Sequence, residues 1–545
     1  MLTLTMTKLI QTLPLPENRA RRSPRPFARP ILLLWLPAIL VTTGILLPIV
    51  YLVLRAVSGE MTVWELIFRA RNLEILGNSV LLAITVTLAS ALIAVPLAWL
   101  TVRTDLPFRG GWALLTSLPL VIPSYIGAYL MASTLGPRGL LQGWLETLFG
   151  VERLPSIYGF PGAALVLTLL TYPYTLLSVR AALAGMDPVL EEASRSLGYS
   201  SWQTFWRVTF PQLRPGLIAG SLLVALYTLR DFGAVAIMRY NTFTRVIYVQ
   251  YQSMLDRSAA AASSLVLIAL TLIVLALEIR TRRGVRQYSS TTPARKPVML
   301  PLGRWRWPAL IFCGLAVGLA LVTPAGVLVY WFARGIQSGE QIAPLWLAAQ
   351  NSLLVSALAA GVTLAACLPV TVLSVRHPGR FAVLLERLTY LGFALPGIVI
   401  ALALVFFGSN FVRFLYQTVP MLIFAYVILF LPQAVGAVQA SLLQVHPNLE
   451  EAGRSLGKNP LEVFRRVTLP LVQPGLAAGA SLVFLTTMKE LPATLILSPF
   501  GFRTLATSIW GTVSEAYFAQ AAAPALLLIL VSSVPMAFLV LRRRS

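Results

Sequence analysis

Glu191-Glu192-Ala193-Ser194-Arg195-Ser196-Leu197-Gly198, followed by Phe205-Trp206-Arg207-Val208-Thr209-Phe210-Pro211 and Pro215-Gly216, is written twice in this chain. The second copy lies 259 positions later: Glu450-Glu451-Ala452-Gly453-Arg454-Ser455-Leu456-Gly457, then Phe464-Arg465-Arg466-Val467-Thr468-Leu469-Pro470 and Pro474-Gly475. Each copy reads as a short amphipathic helix stopped by a glycine suited to a left-handed C-terminal position, then a turn and a second, basic helix ended near a proline. Both are polar islands among apolar runs. Lipid packing asks only for apolarity, so a polar loop repeated this closely while its flanks drift is shaped by something other than lipid.

Outward from that loop the chain is 57% hydrophobic and 12% charged. Apolar runs of about 20 residues, enough to cross roughly 30 Å of hydrocarbon, recur along its length. Twelve spans are expected, near 31–54, 77–101, 112–134, 162–182, 217–237 and 260–279, then 308–332, 352–375, 388–408, 419–439, 475–497 and 520–541. A formal charge of +23 raises nucleic acid as a partner, but the basic residues fill short gaps between apolar runs rather than one helical face, so nucleic acid is set aside. Arg19, Arg21, Arg22, Arg25 and Arg29, the run Arg280, Arg282, Arg283 and Arg286, and Arg542 to Arg544 place both termini in the cytoplasm by the positive-inside rule. Cys313 and Cys367 sit far apart within apolar runs and read as packing residues, not a disulfide framework or metal site.

The organisation expected is a basic cytoplasmic tail over 1–30, with no apolar signal-peptide core; a first six-span half over 31–280 with its polar loop at 183–216; a Ser-, Thr- and Pro-rich cytoplasmic linker at 281–307; and a second six-span half over 308–545 with its loop at 440–475. Asn78-Ser79, Arg103 and Pro123 recur as Asn351-Ser352, Arg376 and Pro396 at an offset of 273, whereas Pro173, Glu192 and Pro211 recur as Pro432, Glu451 and Pro470 at 259. An even number of spans per half makes the repeats parallel, related by an axis along the membrane normal. The change in offset marks an insertion near Gly136 to Tyr158 on the external side, either a spacer or a loop facing a partner.

The duplicated loop resembles the EAA loop of ABC importer permeases: Glu-Ala-Ala, three residues, Gly, nine residues, Ile, one residue, Leu-Pro. Both copies keep that spacing, with Ser194 and Gly453 in place of the second Ala, Val208 and Val467 in place of Ile, and Phe210 in place of Leu. The resemblance implies an all-α membrane protein of the type I ABC importer permease (MetI-like) class, about twelve transmembrane helices in two parallel six-helix repeats, in the bacterial inner membrane. It also implies that each loop is a coupling helix seated on a separate ATPase. Glu191, Glu192, Ala193, Arg195, Gly198 and Pro211, with Glu450, Glu451, Ala452, Arg454, Gly457 and Pro470, are then contact or shape residues at two docking points. Arg195 and Arg454 equally suit intrahelical pairs with the glutamates, worth a few tenths of a kcal/mol each. The implied partners are two copies of a cytoplasmic ATP-binding subunit, a periplasmic substrate-binding protein and membrane lipid.

No phosphate-binding loop of the Gly-x-x-x-x-Gly-Lys-Ser/Thr kind occurs in the sequence, so the chain is read as a transport subunit with no cofactor of its own, ATP and magnesium belonging to the partner. No catalytic or metal constellation is apparent, and His377 and His446 read as ordinary loop histidines. Arg230-Asp231 in the fifth span recurs as Lys489-Glu490 in the eleventh. Charge inside a span is costly and usually faces a cavity or a partner, so these four are candidates for the translocation path or its gate; pairs that neutralise themselves near the outer interface are the alternative. Pro123, Pro173, Pro396, Pro432 and Pro492 are expected to kink their spans.

Fusion of two halves in one chain resembles the ferric-iron permeases and also the thiamine permeases. The stretches Asp231-Phe232-Gly233-Ala234, Arg239 to Tyr248 and Lys489-Glu490-Leu491-Pro492-Ala493-Thr494 resemble the iron family. Ferric iron is therefore the expected cargo, with thiamine or a polyamine-type solute as alternatives. An ion-coupled secondary transporter would share the twelve spans and parallel repeat, but its longest repeated loops would not be the cytoplasmic ones.

Overall fold

A computed structural model describes residues 32–57, 69–137, 139–151, 153–186, 188–253, 257–283, 299–339 and 345–542. The basic tail at 1–30 and most of the 281–307 linker, Arg286 included, lie outside the described residues. Among the described residues the regular structure is helical apart from one bridge between Thr104 and Leu300. Helices are what a chain in hydrocarbon requires, since each satisfies its own backbone polar groups.

The first half runs α1 (Leu32–Val57), α2 (Ala70–Arg103), α3 (Arg109–Leu115), α4 (Ser124–Leu135), α5 (Leu140–Phe149), α6 (Phe160–Ala184), α7 (Pro188–Ser196), α8 (Ser201–Thr204), α9 (Phe210–Arg230), α10 (Gly233–Ile237), α11 (Phe243–Gln252) and α12 (Arg257–Arg283). The second runs α13 (Arg306–Val317), α14 (Thr323–Gln337), α15 (Leu345–Arg376), α16 (Arg380–Thr389), α17 (Leu391–Ala394), α18 (Gly397–Phe411), α19 (Val419–Leu442), α20 (Pro447–Ser455), α21 (Pro460–Val463), α22 (Leu469–Met488), α23 (Pro492–Leu497), α24 (Leu505–Ser514) and α25 (Phe518–Arg542). Among the described residues, nine helical stretches are long and apolar enough to cross a membrane, two bent pairs make further spans, and α25 adds an apolar stretch over Phe518–Ser533. All twelve expected spans therefore have a helical counterpart.

Three details depart from the sequence reading, each at a proline. The third span of each half is broken, not kinked: the segment before Pro123 meets α4 at 96°, and that before Pro396 meets α18 at 105°. Ile122 and Leu395 are extended, at ψ 119° and 118°, and each proline caps the next helix with ψ near 147°. A proline pushes the residue before it out of the helical region, so the same break appears in both halves. Pro492 likewise starts α23, whereas Pro173 and Pro432 stay inside α6 and α19. Finally, Pro211 and Pro470 do not end the basic helix. Each is preceded by a π turn, Phe205–Thr209 and Phe464–Thr468, through which the helix continues into the fifth span. The wider turn accommodates a ring that has no N–H to donate and that crowds the carbonyl four residues back.

The halves are not independent blocks. The first span of each is packed on the other: Ala38 of α1 is buried with Val370, Leu373 and Ala382, and Tyr51 lies 6.3 Å from Phe406 and 6.2 Å from Phe411, ring centre to ring centre. Reciprocally, Ala309, Cys313 and Ala320 of the second half's first span join the core built on α2, α4 and α6, and Trp331 of α14 meets Phe518, which stacks on Tyr129 of α4. The linker's end is tied down as well. Leu300 donates its N–H to the Arg103 carbonyl at 2.8 Å, Asp105 donates to the Leu300 carbonyl at 3.2 Å, and Leu302 donates to the Asp105 carboxylate at 2.8 Å.

Candidate functional site: two joints and a charged break

Each duplicated loop folds into a joint between α7 or α20 and the base of the second span. The glutamate that opens the motif turns inward. Glu191 is buried and pairs with the buried Arg103 at the end of α2, at 3.3 Å; Glu450 pairs with Arg376 at the end of α15, at 3.0 Å. The π turn supplies a second donor, Thr209 Oγ1 to Glu191 Oε1 at 2.9 Å and Thr468 Oγ1 to Glu450 Oε1 at 3.0 Å. One carboxylate thus fastens three elements: the loop helix, the second span and the root of the fifth. A buried charge is tolerable only when paired and hydrogen-bonded, and removal of one partner typically costs about 3–5 kcal/mol.

Of the contact and shape roles expected for Glu191 and Glu450, their interior position fits a shape role, since each holds the joint together from within. Glu192 and Glu451, Ala193 and Ala452, Gly198 and Gly457, and Pro211 and Pro470 are exposed. Arg195 reaches Glu191 at 3.8 Å as an (i, i+4) pair, while Arg454 donates to the Glu450 backbone carbonyl at 3.4 Å. Gly198 and Gly457 close their helices at φ 86° and 79°, the left-handed geometry expected of them. Gly216 and Gly475 do a different job. A Cβ on either would meet the facing fourth span, 2.8 Å from Ala182 Cβ or 2.4 Å from Ser441 Cβ, so the fifth span packs where only glycine fits.

The joints are alike in plan and unequal in chemistry. Arg376 places its Nη2 on the Val445 carbonyl at 3.0 Å, whereas Arg103 Nη2 meets the Met186 sulfur at 3.6 Å and its Nε has no partner. The first loop carries an aromatic cluster of Trp202, Phe205, Trp206 and Phe210, with Arg207 over Tyr199 and Arg214 over Phe210. The second carries an ionic ladder of Lys458, Glu462 and Arg466. His446 caps α20, its Nδ1 accepting from the Asn448 N–H at 3.3 Å. His377 lies beside the second joint, where burial, followed by the Arg454 charge, lowers its pKa against the opposing pull of Glu450.

At the far end of α9 and α22 the fifth span breaks at the charged dipeptides. Asp231 accepts from the Ala234 N–H at 2.9 Å, and Glu490 from the Ala493 N–H at 3.1 Å, so each carboxylate starts the short helix beyond it. The cations reach across the molecule. Lys489 Nζ donates to the Leu120 carbonyl at 3.1 Å, and the Arg230 guanidinium lies 5.9 Å from the Phe393 ring centre. Leu120 and Phe393 are themselves repeat partners, 273 apart, each just before the proline that breaks a third span. Every fifth-span break therefore abuts the third-span break of the opposite half. Among the described residues no ion pair within 4.0 Å joins the four charges; a cation-to-backbone contact for Lys489 and a cation-to-ring contact for Arg230 reach the opposite half, and Arg230 and Glu490 feel each other's charge across it.

Sequence reasoning marked Arg103 and Arg376 only as repeat landmarks, and Thr209 and Thr468 only as parts of the motif. Their fixed offsets of 273 and 259 were the available signal. The same holds for Asn78-Ser79 and Asn351-Ser352. Both serines accept the first N–H of the second helix beyond the break, α11 or α24, from Phe243 at 3.3 Å and Leu505 at 2.8 Å, and both asparagines donate to a carbonyl of the turn before it.

The family described as binding-protein-dependent transport system inner membrane component matches residues 113–287 and again 357–544, each match holding one duplicated loop and one charged break. The chain belongs to this permease family. A permease of the Fe(3+)-transport system in Haemophilus influenzae, FbpB 2, is 35% identical over 92% of this chain and 97% of its own length. The ferric transport system permease protein FbpB of Actinobacillus pleuropneumoniae is 24% identical over 84% of this chain and 69% of its own. The molybdenum transport permease ModB of Escherichia coli is 33% identical over 36% of this chain and 90% of its own length, so about a third of this permease matches nearly a whole smaller one.

Proposed function

We propose that this permease moves ferric iron, delivered by a periplasmic binding protein, into the cytoplasm, driven by two copies of a separate ATP-hydrolysing subunit. The observation that carries the reading is the duplicated joint, a polar, buried clamp of Glu191 or Glu450 that a chain needing only to sit in lipid has no use for. The iron assignment is supported by similarity to a whole-length relative named for Fe(3+) transport. The joints face the cytoplasm, where each ATPase copy engages the exposed side of α7 or α20 and its motion passes through the carboxylate clamp to the second and fifth spans. The charged breaks form the gate. Arg230 and Lys489 reach across to the opposite half there and release when the joints move.

The test is uptake by the complex reconstituted with its ATPase, offering iron on its binding protein, thiamine and polyamines in parallel. Stimulated hydrolysis and uptake with iron alone is the expected result. Stimulation by loaded thiamine-binding protein but not by iron overturns the cargo and leaves the importer standing, whereas uptake that persists with an inactive ATPase on a proton gradient overturns the importer itself.

A further inference from the structure

The repeat calls for matched chemistry beside the two fifth-span breaks, and at three positions beside the second break it is not kept. Ser356 of α15, Tyr426 of α19 and Thr494 of α23 stand where the first half has Ala83, Leu167 and Val235, at the offsets of 273 and 259 that relate the rest of the chain. Three apolar positions on three helices are thus hydroxyls in one half only. In the fold all three line one small space beside Glu490, together with Ser352 and Thr487. Independent drift at three sites has no reason to converge on one place.

The hydroxyls there are also not used as a helix uses them. A serine or threonine inside a helix commonly donates back to the carbonyl four residues earlier. Thr228 does so, to Val224 at 2.9 Å, and Ser79 does so, to Ile75 at 2.8 Å. Their counterparts in the second half differ. Among the described residues Thr487 Oγ1 and Ser356 Oγ have no partner, although the two residues are 3% and 0% exposed, and Ser352 accepts the Leu505 N–H at 2.8 Å without such a back-bond. Tyr426 and Thr494 are fastened to the break itself, their hydroxyls 2.7 Å apart and Thr494 donating to the Glu490 carbonyl at 2.7 Å. Glu490 takes the Ala493 N–H on Oε1, which leaves Oε2 for a further partner.

The space these groups enclose is too tight for a water molecule. Oxygen donors alone, one of them a carboxylate, suit a hard cation stripped of its water, and a broken span is a place where such ions are held. A single carboxylate that already feels the charge of Arg230 has none to spare for a divalent ion. Bare sodium is smaller than water, whereas bare potassium is about as large. We propose that the second half holds a sodium ion between Glu490 and the hydroxyls of Ser352, Ser356 and Thr487. The first half, with Ala83 in place of Ser356 and Thr228 bonded within its own helix, holds none. Glu490 is part-exposed, so the ion enters along its carboxylate. The site does not depend on which solute the permease carries.

The experiment uses the complex with its ATPase in nanodiscs, without binding protein or ATP, and measures binding of radiolabelled sodium in choline chloride at constant ionic strength, together with the thermal midpoint. Saturable sodium binding is expected, with a midpoint about 2–4 °C higher in sodium than in choline. Ser356→Ala, which copies the other half, and Thr487→Val should each weaken sodium binding by about tenfold or more, with the midpoint in choline near that of the parent. Thr228→Val, the matched change in the first half, should leave sodium binding as it is, and Arg230→Met should tighten it. Absence of saturable binding, equal competition by potassium, or parental affinity in both Ser356→Ala and Thr487→Val overturns the site. Neither cargo nor hydrolysis enters the measurement, so the importer reading stands or falls separately.

Discussion

At the scale of single residues, the carboxylate clamp is the most exacting demand the fold makes. Replacing Arg376 with Met leaves Glu450 buried beside Thr468 without its cation, and should weaken the second joint by about 3–5 kcal/mol. The readout is hydrogen exchange over 447–468. Pairing the change with Glu450→Gln should restore much of the protection, and strictly additive losses would count against the clamp. Arg103→Met should cost less, since its contact is longer and its Nη2 rests on sulfur where Arg376 has a carbonyl. Gly198 and Gly457 fail differently. No atom lies within 4 Å of a Cβ built on either, so a substitution meets only the backbone penalty of the left-handed region, about 1–2 kcal/mol. Gly457→Val should therefore separate ATP hydrolysis from uptake with membrane insertion intact, while Gly457→Asn, which tolerates that geometry, keeps most uptake. Equal uptake by both variants and the parent would refute the role of the turn.

At the scale of elements, the π turn sets how the loop helix faces its span. Deleting Val467 returns Phe464–Thr468 to α-helical length and rotates everything on its N-terminal side by about 100° relative to α22. Thr468 then no longer meets Glu450, and uptake should fall to background at normal expression; normal uptake would show the joint to be indifferent to register. None of this was legible beforehand. Period and composition located the spans because burial in lipid depends on little else, and the left-handed glycines followed from Gly at the end of an amphipathic run. Pro211 and Pro470 misled, because a proline in sequence signals a stop and only the turn before it reveals an accommodation. Pro123 and Pro396 were expected as kinks inside spans that are in fact broken, since hydropathy averages over a bend. The burial of Glu191 escaped for a related reason: its partner Arg103 lies 88 positions away, and only the recurrence of both at fixed offsets connected them.

At the scale of the whole molecule, the exchanged first spans make the two halves one body even without the linker. Cutting the chain within 285–298 and co-expressing 1–290 with 291–545 should give fragments that co-purify and transport, because Ala38 and Tyr51 on one side and Cys313 and Trp331 on the other still find their partners. Recovery of each fragment alone would contradict the packing. Mutants in Arg230 or Lys489 should by contrast leave co-purification intact and change only the opening of the path. The exchange also imposes an order on synthesis. α1 leaves the ribosome long before part of its packing partner: the residues that bury Ala38, Val370 to Ala382, follow more than 300 positions later. At about 5–20 residues per second the wait is roughly 15–65 s. α12 of the same half covers part of α1 sooner, but the face around Ala38 stays unmatched for the whole interval, so biogenesis of this permease includes a period in which that face of a proline-containing apolar helix depends on lipid or on an insertion factor for company.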